Sequence, residues 1–142
     1  RTGIRLSPVT PANDIVDDNP QQLFDYLLAQ LAPLGLAYVH VIEGATGGPR
    51  ELPDRPFDYA ALKAVYRKAG GQGAWMVNNA YDRPLADAAV AAGADIVAFG
   101  RPFIANPDLV TRLEKNAPLN EPDRSTFYGG GAAGYTDYPT LF

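Results

Sequence analysis

Cysteine is absent from the 142 residues, and histidine and methionine occur once each, as His40 and Met76. Without thiols the chain can build neither a disulfide framework nor a thiolate metal site. With one imidazole, no constellation of two histidines can form within it. No apolar run reaches the roughly 20 residues of a membrane span, and no signal peptide is recognisable. Positive charge is scarce as well: 12 Lys and Arg stand against 16 Asp and Glu, giving a formal charge of −4 and a pI of about 4.8. The arginines are scattered singly and form no basic stripe, which argues against a nucleic-acid surface. The expectation is a soluble, cytoplasmic protein. Its 46% hydrophobic residues suffice for one domain with a real core.

The sequence opens Arg-Thr-Gly-Ile-Arg-Leu, and its second to sixth residues already read as strand. Domains ordinarily begin with a frayed or polar lead-in, so Arg1 is expected to be a break point inside a larger fold.

Four apolar strand candidates alternate with four helix candidates. The strands are Gly3–Ser7, Leu36–Glu43 ("LAYVHVIE"), Ala74–Asn78 ("AWMVN") and Asp95–Gly100 ("DIVAFG"). The first helix opens at Asn19-Pro20, a side-chain cap followed by a residue whose missing N–H costs nothing there. Leu23, Leu27 and Leu31, with Leu28 and Leu34 beside them, are its expected apolar face. Asp58 caps a second helix with Leu62, Val65, Tyr66 and Ala69 inward, ended by Gly70-Gly71. A third runs from Leu85 to Ala92 and stops at Gly93. A fourth follows an Asn106-Pro107 cap, with Leu109, Val110 and Leu113 inward.

Strands that are apolar throughout belong to a parallel sheet buried on both faces, with helices outside. Arg, Asn and Gly cluster after the strands, while the loops after the helices are short and plain. That asymmetry fits a TIM (β/α)8 barrel, whose sites lie at the C-terminal ends of strands. Four βα units make half of such a barrel and leave two open edges, which calls for another half. A small doubly wound open sheet fits the same order, but "RLSPVTPAND" lacks its glycine fingerprint. Residues 1–117 form the half-barrel in this reading. Residues 118–142, rich in Gly, Tyr and Pro, form an ordered, non-helical extension that either packs on something flat or wraps the barrel.

Gly100-Arg101 is the leading candidate site. A glycine at a strand end lets backbone N–H groups approach a phosphate, and the arginine adds two-pronged charge-assisted bonds. The alternative is a turn glycine beside a solvated arginine. Asn78, Asn79 and Ala80, at the mouth of the preceding strand, would meet the same phosphate. Arg5 sits inside an apolar strand. Burying it is costly without an anion or a dense set of acceptors, so a carboxylate or an electron-rich ligand atom is expected beside it. His40 reads as a satisfied core residue. Asp14, Asp17 and Asp18 precede a helix N-terminus, where the dipole favours acids, and no metal is expected there.

The stretches "GIRLSP", "LAYVHVIE", "ADIVAFGRPFIANPDLVTRL" and "STFYGGGAAGYTDYPTL" together closely resemble the C-terminal half of the old yellow enzyme family of FMN-dependent ene-reductases. The likeness is nearest to the bacterial N-ethylmaleimide and pentaerythritol tetranitrate reductase type. The resemblance implies an eight-stranded barrel of which this chain supplies strands five to eight. It implies that Arg5 contacts the flavin ring near N1 and O2. It makes Gly100 and Arg101 the phosphate-binding pair, with Asn79 and Ala80 in the adjoining loop, and it places Tyr128 in the substrate cavity. Close relatives tend to carry glycine in that loop, and "NNA" departs from them. The implied reaction passes hydride from NADPH or NADH to FMN and on to the β-carbon of an activated alkene. The substrate anchors and other ring contacts belong to the N-terminal half, so no catalytic residue is assigned in this chain. The implied partner is an N-terminal half-barrel chain. Two other functions fit the residues alone: a flavin-free, phosphate-binding barrel enzyme, and a half-barrel that self-associates without catalysis.

Overall fold

The computed structural model describes residues 1–12 and 14–141, in two compact units, Arg1–Ala98 and Phe99–Phe142. In the first, β1 (Ile4–Leu6), β2 (Tyr38–Ile42), β3 (Ala74–Asn78) and β4 (Ile96–Ala98) form one parallel sheet in chain order. They are joined by α1 (Pro20–Leu31) with a 3-10 turn at Ala32–Leu34, α2 (Tyr59–Lys68) and α3 (Arg83–Ala91). The β-α alternation and the parallel sheet are as the sequence indicates. Three strands are shorter than their apolar runs, because the runs continue past the last residue with a ladder partner. Beyond the N-terminal end of β4, for example, Asp95 keeps one backbone bond, its N donating to Trp75 O at 2.9 Å, while its carboxylate accepts from Trp75 N at 2.7 Å.

Each helix in this unit begins on a side-chain cap. Asn19 accepts from Gln22 N, Asp58 from Ala61 N and Asp82 from Leu85 N, each satisfying an otherwise orphaned donor. Asp82 starts α3 at Arg83, two residues before the expected Leu85.

Side chains alternate across a strand and register partners share a face. Leu6, Val39, Val41, Trp75 and Val77 therefore point to one side, and all are buried. Helix α2 meets this side: Leu62 and Tyr66 are fully buried, and the Tyr66 ring lies 6.2 Å from Trp75. The other side carries Arg5, Tyr38, His40, Met76 and Ile96. It is uncovered along much of its length, with Arg5, Tyr38 and Ile96 exposed. At its C-terminal end Ile42 is buried. The buried residue of α1 is Leu28, one of the expected apolar face, whereas Leu23 is 46% exposed, so the face centres on Leu28 and not on the Leu23-Leu27-Leu31 line. The cause is that α1 also packs along α2, and Phe24 meets Phe57 edge-on at 6.3 Å.

The second unit holds α4 (Arg101–Ala105), α5 (Leu109–Glu114) and a 3-10 turn at Arg124–Thr126. One helix was expected after an Asn106-Pro107 cap. Instead α4 starts directly after Gly100, and Asp108 occupies the cap position of α5. Asn106 is fully buried: it donates to Pro102 O at 2.7 Å and accepts from Asn120 N at 2.7 Å. The inward residues of α5 are Leu109 and Arg112, while Val110 is 62% exposed. Arg112 is buried at no net cost in charge, because Asp108 lies 2.7 Å from its Nε. Its other nitrogens donate to Pro118 O at 2.6 Å and Pro139 O at 2.9 Å. These bonds anchor the extension. No described helix is long and apolar enough to cross a membrane.

The Tyr66 hydroxyl accepts from Gly73 N at 3.1 Å inside the core. Tyr66→Phe leaves that N–H unpaired and is expected to lower unfolding free energy by about 1–2 kcal/mol, read from urea midpoints at constant slope.

Candidate functional site

Arg5 stands mid-strand in β1, beside His40 in register, on the uncovered side of the sheet. It is exposed and not buried as its apolar neighbours suggested, since those neighbours alternate to the covered side. Among the described residues it has no hydrogen-bond or ion-pair partner. His40 is not the satisfied core residue expected either. Its Nε2 is buried and has no partner among the described residues. Burial, and then the adjacent Arg5 charge, hold the imidazole below its usual 6.5. An electropositive, unpaired pair of polar side chains thus marks the middle of the open face.

Asn79 and Ala80 follow β3 in backbone conformations that L-residues rarely adopt, with φ of 121° and 50°. Strain of this kind costs of order 1–3 kcal/mol per residue and persists only where the surroundings enforce it. The enforcing contacts come from the Asn79 side chain, which is 5% exposed. Its Nδ2 donates to Glu43 O at 2.6 Å and Ala45 O at 2.8 Å, with Gly48 O at 3.4 Å, and its Oδ1 accepts from Gly47 N at 3.2 Å. That side chain is therefore committed to the loop between β2 and α2, and any ligand contact here falls to the backbone and to exposed Ala80. Asn78 donates to Ala98 O at 2.7 Å and clasps the ends of β3 and β4.

The same loop is fixed by a second cluster that the sequence did not flag. Glu43, 8% exposed, accepts on Oε2 from Arg50 Nη2 at 2.5 Å and from the Tyr81 hydroxyl at 2.7 Å. Arg50 also donates to Tyr81 Oη at 3.0 Å, and its guanidinium lies 4.4 Å from the centre of the Tyr81 ring. Burial, reinforced by Glu43, pushes the Tyr81 hydroxyl well above its usual range, so it stays a donor. Gly44 makes the turn: its φ is +67°, and a Cβ there would lie 2.3 Å from Arg50 O. The polar strand-end Glu43 and the "GPR" turn were the only sequence signals. The pairing itself spans 7 and 38 residues and is tertiary. Beside this cluster lies a cavity of about 560 Å³, lined by Val9, Arg50, Leu52, Phe57 and Tyr59 among others.

In the second unit Gly100 immediately precedes α4, and Arg101 is its first residue. Gly100 has φ −99°, and a Cβ would meet no atom within 4 Å. Neither backbone conformation nor a neighbouring described atom requires glycine there. Tyr128 is 94% exposed in the extension. Its segment is held by Thr126 Oγ1 donating to Asp123 O at 2.8 Å and by Gly134 N donating to Asp137 at 2.7 Å.

A parallel sheet with one covered face and one open face, the open one carrying Arg5 without a partner among the described residues, describes an α/β scaffold whose open face can receive a ligand. A profile of the NADH:flavin oxidoreductase / NADH oxidase family matches residues 1–120, and the chain belongs to that family. FMN and a nicotinamide reductant are the family's cofactors. A rice (Oryza sativa subsp. japonica) protein named "Putative 12-oxophytodienoate reductase 10" is 44% identical over 144 residues, covering 99% of this chain and 45% of the relative. The Leishmania infantum protein named "Probable flavin mononucleotide-dependent alkene reductase" is 37% identical, with 99% and 36% covered. Among solved structures, an old yellow enzyme homologue from Zymomonas mobilis superposes with a TM-score of 0.88 at 37% identity, covering 99% of this chain and 39% of that one. Morphinone reductase in complex with tetrahydroNAD gives 0.82 at 42% identity, with 99% and 36% covered. The chain thus spans less than half the length of each.

Ala80→Gly removes a Cβ from a left-handed position and is expected to raise unfolding free energy by about 0.5–1 kcal/mol, seen as a higher urea midpoint. A second test uses pH. The unfolded imidazole takes its proton near pH 6.5, while native His40 resists until the pH is lower. Acidification through that window therefore costs native stability. Between pH 7.5 and 5.5 wild type should lose more stability than His40→Gln; equal losses would show that His40 titrates normally.

Proposed function

We propose that this chain is the FMN-binding C-terminal half of an NAD(P)H-dependent ene-reductase acting on activated C=C bonds such as enones, maleimides and nitroalkenes. β1–β4 are strands five to eight of a (β/α)8 barrel within residues 1–117, and residues 118–142 are the extension. An N-terminal half-barrel completes the fold, in the cytoplasm. The observation that carries this reading is Arg5, an unpartnered guanidinium on the uncovered face of a sheet, in a chain of a flavin oxidoreductase family.

Bound FMN would supply the hydride-carrying ring. Arg5 would donate to its N1/O2 edge, where a fixed positive charge favours electron density accumulating on that side. Gly100 would offer backbone without steric obstruction and Arg101 a charge-assisted grip on the phosphate. Asn79 and Ala80 would present their strand-end backbone to it. Tyr128 would face the substrate. The proton donor and the groups that hold the substrate lie outside this chain, which alone has no turnover in this reading.

The open edges of β1 and β4 and the exposed Tyr38 and Ile96 favour one other outcome, self-association of two copies. A visible spectrum decides. This chain combined with its N-terminal half should bind FMN, with oxidised-flavin absorption near ~460 nm retained after gel filtration. Arg5→Ala and Gly100→Ala should weaken retention about tenfold or more while leaving the urea midpoint unchanged. A combined preparation that stays colourless with added FMN would sink the flavin reading, and a stable colourless homodimer would establish the alternative.

A further inference from the structure

We infer that Asn79 is a positioning residue for the cofactor phosphate: by tying itself to the β2–α2 loop it holds Asn79 and Ala80 in the left-handed conformation that presents the end of β3 to the ligand. The inference rests on the FMN reading above. Three observations support it. First, a strand can end without strain, yet here two consecutive non-glycine residues take positive φ. Second, the Asn79 amide spends both its oxygen and its nitrogen on residues 43–48, so its side chain acts as a tether and not as a ligand contact. Third, the tether has a rigid anchor. Glu43 is locked by Arg50 and Tyr81, and Tyr81 itself lies two residues beyond Asn79.

The β2–α2 and β3–α3 loops are thereby closed into one ring of contacts: Asn79 to residues 43–48, Glu43 to Arg50, and Glu43 and Arg50 back to Tyr81. Ala80 sits within that ring and is the exposed member. Phosphate sites in (β/α)8 barrels recur after the seventh and eighth strands, which β3 and β4 are in the proposed numbering. Preorganised backbone donors lose effectiveness when their support loosens by even an ångström. The Asn79 amide and the Glu43–Arg50–Tyr81 cluster are that support.

The test compares FMN with riboflavin, which has the same ring and no phosphate, using quenching of flavin fluorescence by this chain completed with its N-terminal half. Asn79→Ala should weaken FMN about tenfold and riboflavin less than about twofold, so the preference for FMN collapses. Tyr81→Phe keeps the ring under Arg50 and deletes only the hydroxyl bonded to Glu43. It should weaken FMN about threefold with riboflavin unchanged, which keeps the question open to measurement should Asn79→Ala fold poorly. Equal weakening of both flavins would mean a merely structural role and overturns the inference, as does unchanged FMN affinity. Wild type that binds neither flavin removes the underlying flavin reading instead, and the inference with it.

Discussion

Parallel pairing of β2 with β3, Tyr38–Ile42 against Ala74–Asn78, fixes which side chains meet helices and which face the open side. A slip of one residue exchanges the two sets, and Arg5, His40 and Met76 would then be driven under α2 while Val39 and Trp75 faced outward. Burial of Val39, Val41, Trp75 and Val77, with the Trp75 ring against Tyr66 of α2, makes that slip costly. The core therefore specifies the face on which the two polar strand residues stand. Register is what turns a hydrophobic preference into a positioned arginine.

The same pairing sets the heights at which the strands end, and so where their loops start. Glu43 follows β2 and Asn79 follows β3, and their sequence separation of 36 residues is bridged by a 2.6 Å bond from the Asn79 amide to Glu43 O. The loops at this end of the sheet are bound to one another by buried polar groups, whereas the loops at the other end are tied chiefly by Arg67, which donates to Gly71 O and Gly73 O and pairs with Asp95. Buried polar networks confer definition when every member is satisfied. Strain at Asn79 and Ala80 is tolerated for that reason.

The second unit solves a different problem, how to order a segment rich in Gly and Pro that cannot form a helix. Arg112 and the Asn106–Asn120 pair supply donors and acceptors to backbone groups of residues 102–139 that no regular element would satisfy. Sequence periodicity counted Val110 as inward and overlooked Arg112, because a charged side chain is assigned to solvent unless its partners are known. Here the partners are Asp108, four residues away on the same helix turn, and two proline carbonyls.

Local signals in the sequence were sufficient for the β-α order up to β4, the caps at Asn19 and Asp58, the parallel sheet and the family resemblance, since each depends on residues close in the chain or on apolar runs that only a covered sheet explains; the split of the last helix into α4 and α5 was not among them. Gly100, Arg101 and Arg5 were legible as candidates because glycine and arginine at strand positions are out of place in an apolar pattern. Only the tertiary structure decided that Arg5 stands on an open face, that the Asn79 side chain is committed to a loop, that His40 Nε2 has no described partner, and that Glu43, Arg50 and Tyr81 form one cluster. Those outcomes depend on which strands are neighbours, in what register, and on hydrogen bonds between residues up to 38 positions apart, quantities that no local pattern of apolar and polar residues encodes.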